Sequence, residues 1–252
     1  MLGAQLYTVR EFTQTPEGLD ASLAKVSAIG YKNVQLSAQG KDIDPVFIRD
    51  ALQKYNLVCH ATHISFQEMK DDLDLVMKNH KLWGCPYIGV GAMPREYWTS
   101  AEGFVQFAKE ANEIAEKLAD NGQTFIYHNH NFEFQRFDGK LGLDILIDNF
   151  NQYAQFEIDT YWVQAGGGDV CHYIRKMAGR MDIIHFKDMA IQPDRTQIYS
   201  EIGYGNLNWD AILPLVKEIG VKDAFVEQDI CAHDPFESLK MSYDFLTSHG
   251  YN

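Results

Sequence analysis

The stretch FVQFAKEANEIAEKLADNGQTFIYH (residues 104–128) contains one complete unit of the pattern that organises this chain. Phe104, Phe107, Ala108, Ala111, Ile114, Ala115 and Leu118 recur at three- and four-residue intervals, which lays an apolar stripe along a helix. Gly122 follows, where a helix end calls for a residue that tolerates positive φ. The run 125–128, rich in aromatic and β-branched residues, then reads as a short strand. Working outward, the same alternation recurs eight times. Strands are expected at 3–7, 33–36, 57–62, 87–90, 125–128, 155–158, 182–186 and 224–227. Leu19, Leu23, Val26 and Ile29 mark another helix, Gly30 and Gly220 precede strands, and Asn208-Trp209-Asp210 offers a cap before a helix at 212–216. The spacing of about 30 residues is that of one βα unit. Strands alternating with helices imply a parallel sheet. An open doubly wound sheet would place a glycine-rich loop after its first strand, and Tyr7-Thr8-Val9-Arg10 is unlike one. The expectation is a single-domain (β/α)8 barrel over residues 1–252, with no linker dividing it.

In such barrels the chemistry gathers where strands end and the following loops begin. Six of the nine histidines (His60, His63, His128, His130, His185 and His233) fall at or just past an expected strand end. Asp159, His185 and Glu227 end apolar runs on strands six, seven and eight. One acid there is ordinarily a helix cap, but three ligand types converging on one barrel mouth read as a metal site. Mixed imidazole and carboxylate donors suit Mn²⁺, Zn²⁺, Co²⁺ or Fe²⁺ better than Ca²⁺, and Mn²⁺ is the first choice. In the fifth strand a period of two puts His128 and His130 on one face and Asn129 on the other. These imidazoles offer a fourth ligand, His128, and a general base, His130; the plainer reading is a hydrogen-bonded polar plug. Glu133 lies in the loop beyond, holding His130 or a substrate hydroxyl, or else facing solvent.

Other residues suit a sugar or polyol. Trp162 can stack on a carbohydrate ring or simply pack its loop. Lys187 can steady an oxyanion or a phosphate, or pair with Asp188 or Glu201. His63 reads as a substrate contact and His60 as packing. The loop EIGYGN (201–206) is too poor in glycine for a phosphate loop and reads as a structural turn. Met69, Met77, Phe104, Phe107 and Phe245 are expected in the core.

These motifs together resemble the xylose-isomerase-like TIM barrels, the superfamily of sugar (phosphate) isomerases and epimerases. The resemblance spans essentially the whole chain. It rests on YHNHNFE (127–133), DTYW (159–162), HFKD (185–188), EIGYGNLNW (201–209) and Val226-Glu227. It implies one divalent metal held by Glu, Asp, His and Glu from strands five to eight. The last three correspond to Asp159, His185 and Glu227; at the first, this chain has His128. In the ketose 3-epimerases that the chain resembles, two metal-bound glutamates exchange protons on opposite faces of the substrate. Only Glu227 remains here, so His130 or Glu133 would supply the second acid/base. The HNH motif is similar to the branch containing inosose dehydratases. The resemblance therefore implies a metal-dependent sugar isomerase or epimerase working by proton transfer beside a metal-bound carbonyl, through an enediolate. A keto-sugar or inosose dehydratase uses the same residues, and a non-catalytic sugar-binding barrel is the non-enzyme reading.

Composition narrows the partners. With 22 Lys+Arg against 35 Asp+Glu the net charge is -13, and no basic run occurs. That argues against nucleic acid, and so against the endonuclease branch of the same superfamily. The four cysteines show no CxxC spacing and read as reduced thiols. The opening MLGAQLYTVREFTQ is unlike a secretory leader, and no apolar run reaches the roughly 18 residues of a membrane span. The expectation is a cytoplasmic protein with a small-molecule sugar or polyol as substrate, slightly favoured to be unphosphorylated. If it self-associates, a homodimer is the commonest form.

Overall fold

A computed structural model describes residues 1–252. Eight parallel strands close into a barrel: Leu2–Gln5, Asn33–Ser37, Val58–Ile64, Tyr87–Val90, Thr124–His128, Ala154–Asp159, Ile183–Phe186 and Asp223–Val226. Closure comes from the first strand pairing with the last, Gly3 opposite Phe225, while its other edge sets Gly3 against Asn33. Gly3 is required at that seam. A Cβ there would lie 2.6 Å from the Phe225 ring and 3.0 Å from the Asn33 carbonyl.

The connecting helices form where the apolar stripes predict. Ala101–Asp120 starts at Ser100, whose Oγ accepts from Gly103 N at 3.1 Å, and Gly122 beyond its end has φ +76°. Asn208 caps Trp209–Glu218 by accepting from Ala211 N. The stripes pack against the outer faces of the strands in one continuous core, which includes Met69, Phe104 and Phe107, with Met77 and Phe245 packed partly buried against it. Inside the barrel Ala61, Tyr87, Ile126, Ile183 and Phe225 make a separate apolar layer. Burying one such side chain stabilises the fold by about 1.5–3 kcal/mol. This layer lies beneath the polar mouth.

Three local readings are corrected. The first strand stops at Gln5, because its side chain accepts from Tyr7 N and turns the chain into the 3-10 segment Leu6–Phe12. The third strand runs on to Ile64, so neither His60 nor His63 lies past its end. His60 occupies a bulge between the pairs Cys59↔Val34 and Ala61↔Gln35, and its Nδ1 meets Asp223 Oδ2 at 3.0 Å at the opposite end of the barrel. Two antiparallel hairpins have no counterpart in the sequence reading: Arg136–Phe137 with Lys140–Leu141, and Asp188–Ile191 with Gln197–Ser200. Both follow barrel strands and build the rim of the mouth. No helix is long and apolar enough to cross a membrane.

Candidate metal and substrate site

The strand period of two directs His128, Asp159 and His185 inward from three adjacent strands, and Glu227 follows directly on the eighth. One donor atom from each of the four lies within 4.8 Å of all the others, and all four residues are buried. His128 Nε2 is 3.2 Å from Asp159 Oδ2, and His185 Nδ1 is 3.1 Å from Glu227 Oε2.

The hydrogen bonds around this set decide what it can hold. His128 Nδ1 sits 3.0 Å from the Gly91 carbonyl, and His185 Nε2 sits 2.6 Å from Gln35 Oε1. Both partners are acceptors, so each ring is held by one nitrogen and turns the other toward carboxylate oxygens. Second-sphere acceptors of this kind are how metal-binding imidazoles are oriented. The donor set fits a divalent ion. Asp159 combines two roles that the sequence left as alternatives: Oδ1 caps the next helix by accepting from Trp162 N at 2.9 Å, and Oδ2 faces the site.

The pull on positive charge is visible in the residues themselves. Burial alone would lower the pKa of His185, yet the charges of Glu157 and Glu227 outweigh burial and raise it well above the ordinary value. For Glu227 burial acts upward, but Lys187 and His185 prevail and hold it well below the carboxylate range. Lys187 is buried, with Nζ 3.2 Å from Asp159 Oδ2, 2.7 Å from Glu227 Oε2 and 2.6 Å from Asp229 Oδ2. It pairs with these three and not with Asp188 or Glu201, which serve other partners. Asp188 accepts from the backbone of Gly203, Gly205 and Leu207 and from Trp209 Nε1, and so ties down the loop 201–209; Glu201 accepts from Ser238 Oγ at 2.7 Å.

A cavity of about 190 Å³ opens above the set, bounded among others by His63, His128, His130, Lys187, Glu227 and Asp229. The strand ends at His128, so His130 stands on the loop, its ring 4.9 Å from that of His128. The two imidazoles still meet at the mouth, and Asn129 turns to accept from Asp159 N. Glu133 is neither a surface acid nor a wall of the cavity. It is fully buried behind the loop, accepting from Tyr127 Oη at 2.7 Å and from the backbone N–H of His130 at 2.9 Å. Both oxygens are engaged, and Glu133 positions the backbone of His130. Trp162 does not bound the cavity either. The helix Thr160–Ala165 begins at once after Asp159 and packs the indole behind His130, ring to ring at 5.1 Å.

The residue missed in the sequence is Glu157. It is fully buried inside the barrel, bound by Gln35 Nε2 and His63 Nε2 and lying 3.2 Å from His185 Nε2. Burial pushes its carboxyl upward, and the His185 and His63 charges outweigh this and hold it far below its ordinary range. A signal was present: Glu157 is two residues before Asp159 and so shares its inward face. With His63 and His185 it forms a second group of metal-ligand type. Its contacts show it orienting both imidazoles.

Comparison with known proteins now bears on this geometry. Residues 23–249 match the model of the xylose isomerase-like TIM barrel family. The chain belongs to that family. Among solved structures, this xylose isomerase-like barrel is similar to a sugar phosphate isomerase/epimerase from Parabacteroides distasonis, with 22% identity, TM-score 0.83, and 98% of this chain and 97% of that one covered. It is also similar to a D-allulose 3-epimerase from Methylomonas sp., with 15% identity, TM-score 0.74 and coverage of 98% and 96%. A third is a probable 3-DHS dehydratase from Bacillus anthracis, with 14% identity, TM-score 0.75 and 98% of each chain. At such identities the likeness is one of fold. No curated protein matches the sequence.

Proposed function

We propose that this xylose isomerase-like barrel is a metal-dependent isomerase or epimerase that moves a proton at the carbon beside the carbonyl of a keto sugar or polyol. The observation that carries the reading is the convergence of His128, Asp159, His185 and Glu227 donor atoms within 4.8 Å at the mouth of the barrel. A divalent ion held by these four, Mn²⁺ first, supplies Lewis-acid polarisation of substrate oxygens. The epimerase and isomerase neighbours support the same class of chemistry.

The chain's own residues supply the rest. Glu227 bounds the cavity and is ionised, so it can take the proton. His130 bounds it too, as the candidate second acid/base; burial pulls its pKa well below the ordinary value, so the ring is neutral. Lys187 presents a cation beside both.

The test begins with elemental analysis of purified protein before and after a strong chelator, with Mn²⁺ and Co²⁺ added back. Near one ion per chain is expected, lost in Asp159→Ala or His185→Ala and reduced in His128→Ala. Product analysis on a panel of ketoses and inososes follows. Products of unchanged formula are expected; loss of water would assign the chain to the dehydratase chemistry named for the Bacillus neighbour. Glu227→Gln should cost at least about a thousandfold in rate with the fold intact, and full activity would remove Glu227 from the reaction. Failure to retain any metal would overturn the reading.

A further inference from the structure

The two imidazoles at the mouth are held by different means. His128 Nδ1 sits 3.0 Å from the Gly91 carbonyl, whereas His130 Nδ1 is shielded from solvent and has no partner. Rings hold His130 instead. Phe132 lies nearly parallel to it, at 16° and 5.7 Å between centres; Trp162 packs at 5.1 Å, and His128 meets it edge-on at 85° and 4.9 Å. Offset-parallel and edge-to-face contacts at these separations are the favoured arrangements of aromatic pairs.

Phe132 is held in its turn. The Trp98 indole stacks on it at 3.7 Å and 15°, and Trp98 Nε1 donates to the Met93 carbonyl at 2.6 Å. Met93 is buried in the core, so the bond ties the indole to a fixed part of the chain. Trp98 belongs to the loop between the strand Tyr87–Val90 and the helix Ala101–Asp120, the same loop whose Gly91 carbonyl meets His128. One loop therefore holds both imidazoles at the end of the fifth strand: His128 directly through a carbonyl, and His130 through the stack of Trp98 on Phe132. Neither Trp98 nor Phe132 bounds the cavity, so both reach the site only through His130.

We propose that Trp98 is a positioning residue, which through Phe132 fixes the plane of the His130 ring at the cavity wall and keeps it in register with His128. The inference rests on the reading of His130 as the second acid/base and adds the device that holds it in place.

The experiment compares Trp98→Leu, Trp98→Phe, Phe132→Leu and Phe132→Tyr with the wild type as Mn²⁺-loaded proteins. It reads the carbethoxylation rate of each histidine by diethyl pyrocarbonate, followed by peptide mass spectrometry. The rate at His130 follows the population in which its ring swings free, and one aromatic pair is worth about two- to tenfold in such an equilibrium. His130 should therefore react about two- to tenfold faster in Trp98→Leu and in Phe132→Leu. Trp98→Phe keeps a ring but loses the bond to Met93 and should fall between; Phe132→Tyr keeps the ring and should match the wild type. His60, at the opposite end of the barrel, should react at the same rate throughout, and metal stoichiometry should stay near one. On a ketose or inosose that the wild type turns over, both leucine variants should lower kcat by a similar factor at unchanged KM. Unchanged reactivity of His130 in both leucine variants, or an equal rise at His60, would overturn the positioning role. A rise in KM at unchanged kcat would make the pair a substrate contact and overturn it as well. If Trp98→Leu does not fold, Trp98→Phe and Phe132→Leu carry the same comparison. Metal not retained by the wild type, or full activity of His130→Ala, would overturn the underlying reading instead, and the reactivity of His130 separates the two outcomes.

Discussion

Glu133 shows how far burial alone can change what a carboxyl group does. Burial raises its pKa to about 8, against the smaller downward pull of its hydrogen bonds from Tyr127 and the His130 backbone. Its ordinary value is near 4.5, so between these two values the folded state keeps a proton that the unfolded chain releases. Stability from this group is therefore full below about pH 4.5 and is lost as pH rises through about 8. Glu133→Gln keeps the shape without the titration, since the amide oxygen can accept from His130 N–H while its nitrogen donates to Tyr127. Compared with wild type, the variant should gain at least about 2 kcal/mol between pH 5.5 and pH 8.5. Urea unfolding at the two pH values reads this directly, and parallel curves for the two proteins would contradict it. The identity of Glu133 was legible in the sequence; its burial was not, because that depends on a loop folding back over strand five.

At the scale of elements, strand ends marked Asp159, His185 and Glu227, and alternation on the fifth strand marked His128. Alternation applied to the sixth strand would have put Glu157 on the same inward face as Asp159. It failed for His130, Trp162 and Glu133, which lie beyond strand ends where no period holds. The loop after the seventh strand has its own logic. Asp188 collects four backbone N–H groups, of Met189, Gly203, Gly205 and Leu207, and the Trp209 indole, and a Cβ on Gly205 would lie 2.4 Å from Asp188 Oδ1. Asp188→Ala leaves these donors without an acceptor in a buried setting and should destabilise the protein by about 3 kcal/mol or more. Asp188→Asn keeps one acceptor oxygen and should cost roughly half as much. Chemical denaturation of both variants checks the order; an unaffected Asp188→Ala would show that the loop is held by other contacts.

Across the whole molecule, the mouth draws together side chains from strands that are distant in the chain. Gln35, His63, Glu157 and His185 touch one another across sequence separations of up to 150 residues. Because the four candidate ligands come from different strands, an ion bound among them stabilises the closed barrel and not the unfolded chain. Mn²⁺ at about one hundred times its dissociation constant should add about 2.7 kcal/mol, or about 5 °C in Tm for a chain of this size. Thermal melts with Mn²⁺ and with chelator measure it, and Asp159→Ala should abolish the shift. A shift that survives in Asp159→Ala would place the ion elsewhere.

The sequence by itself determined the eight βα units, the parallel barrel they build, and the carboxylates and imidazoles at the ends of strands five to eight. Those features follow from local periodicity and from glycines and caps at helix ends, which act over a few residues. Tertiary structure alone decided that Lys187 sits among three carboxylates, that Glu157 orients His63 and His185, and that Trp162 and Glu133 stand behind the cavity and not on its wall. Each of these depends on barrel closure, which sets the distances between charges far apart in the chain, and on burial, which decides how strongly they act on one another.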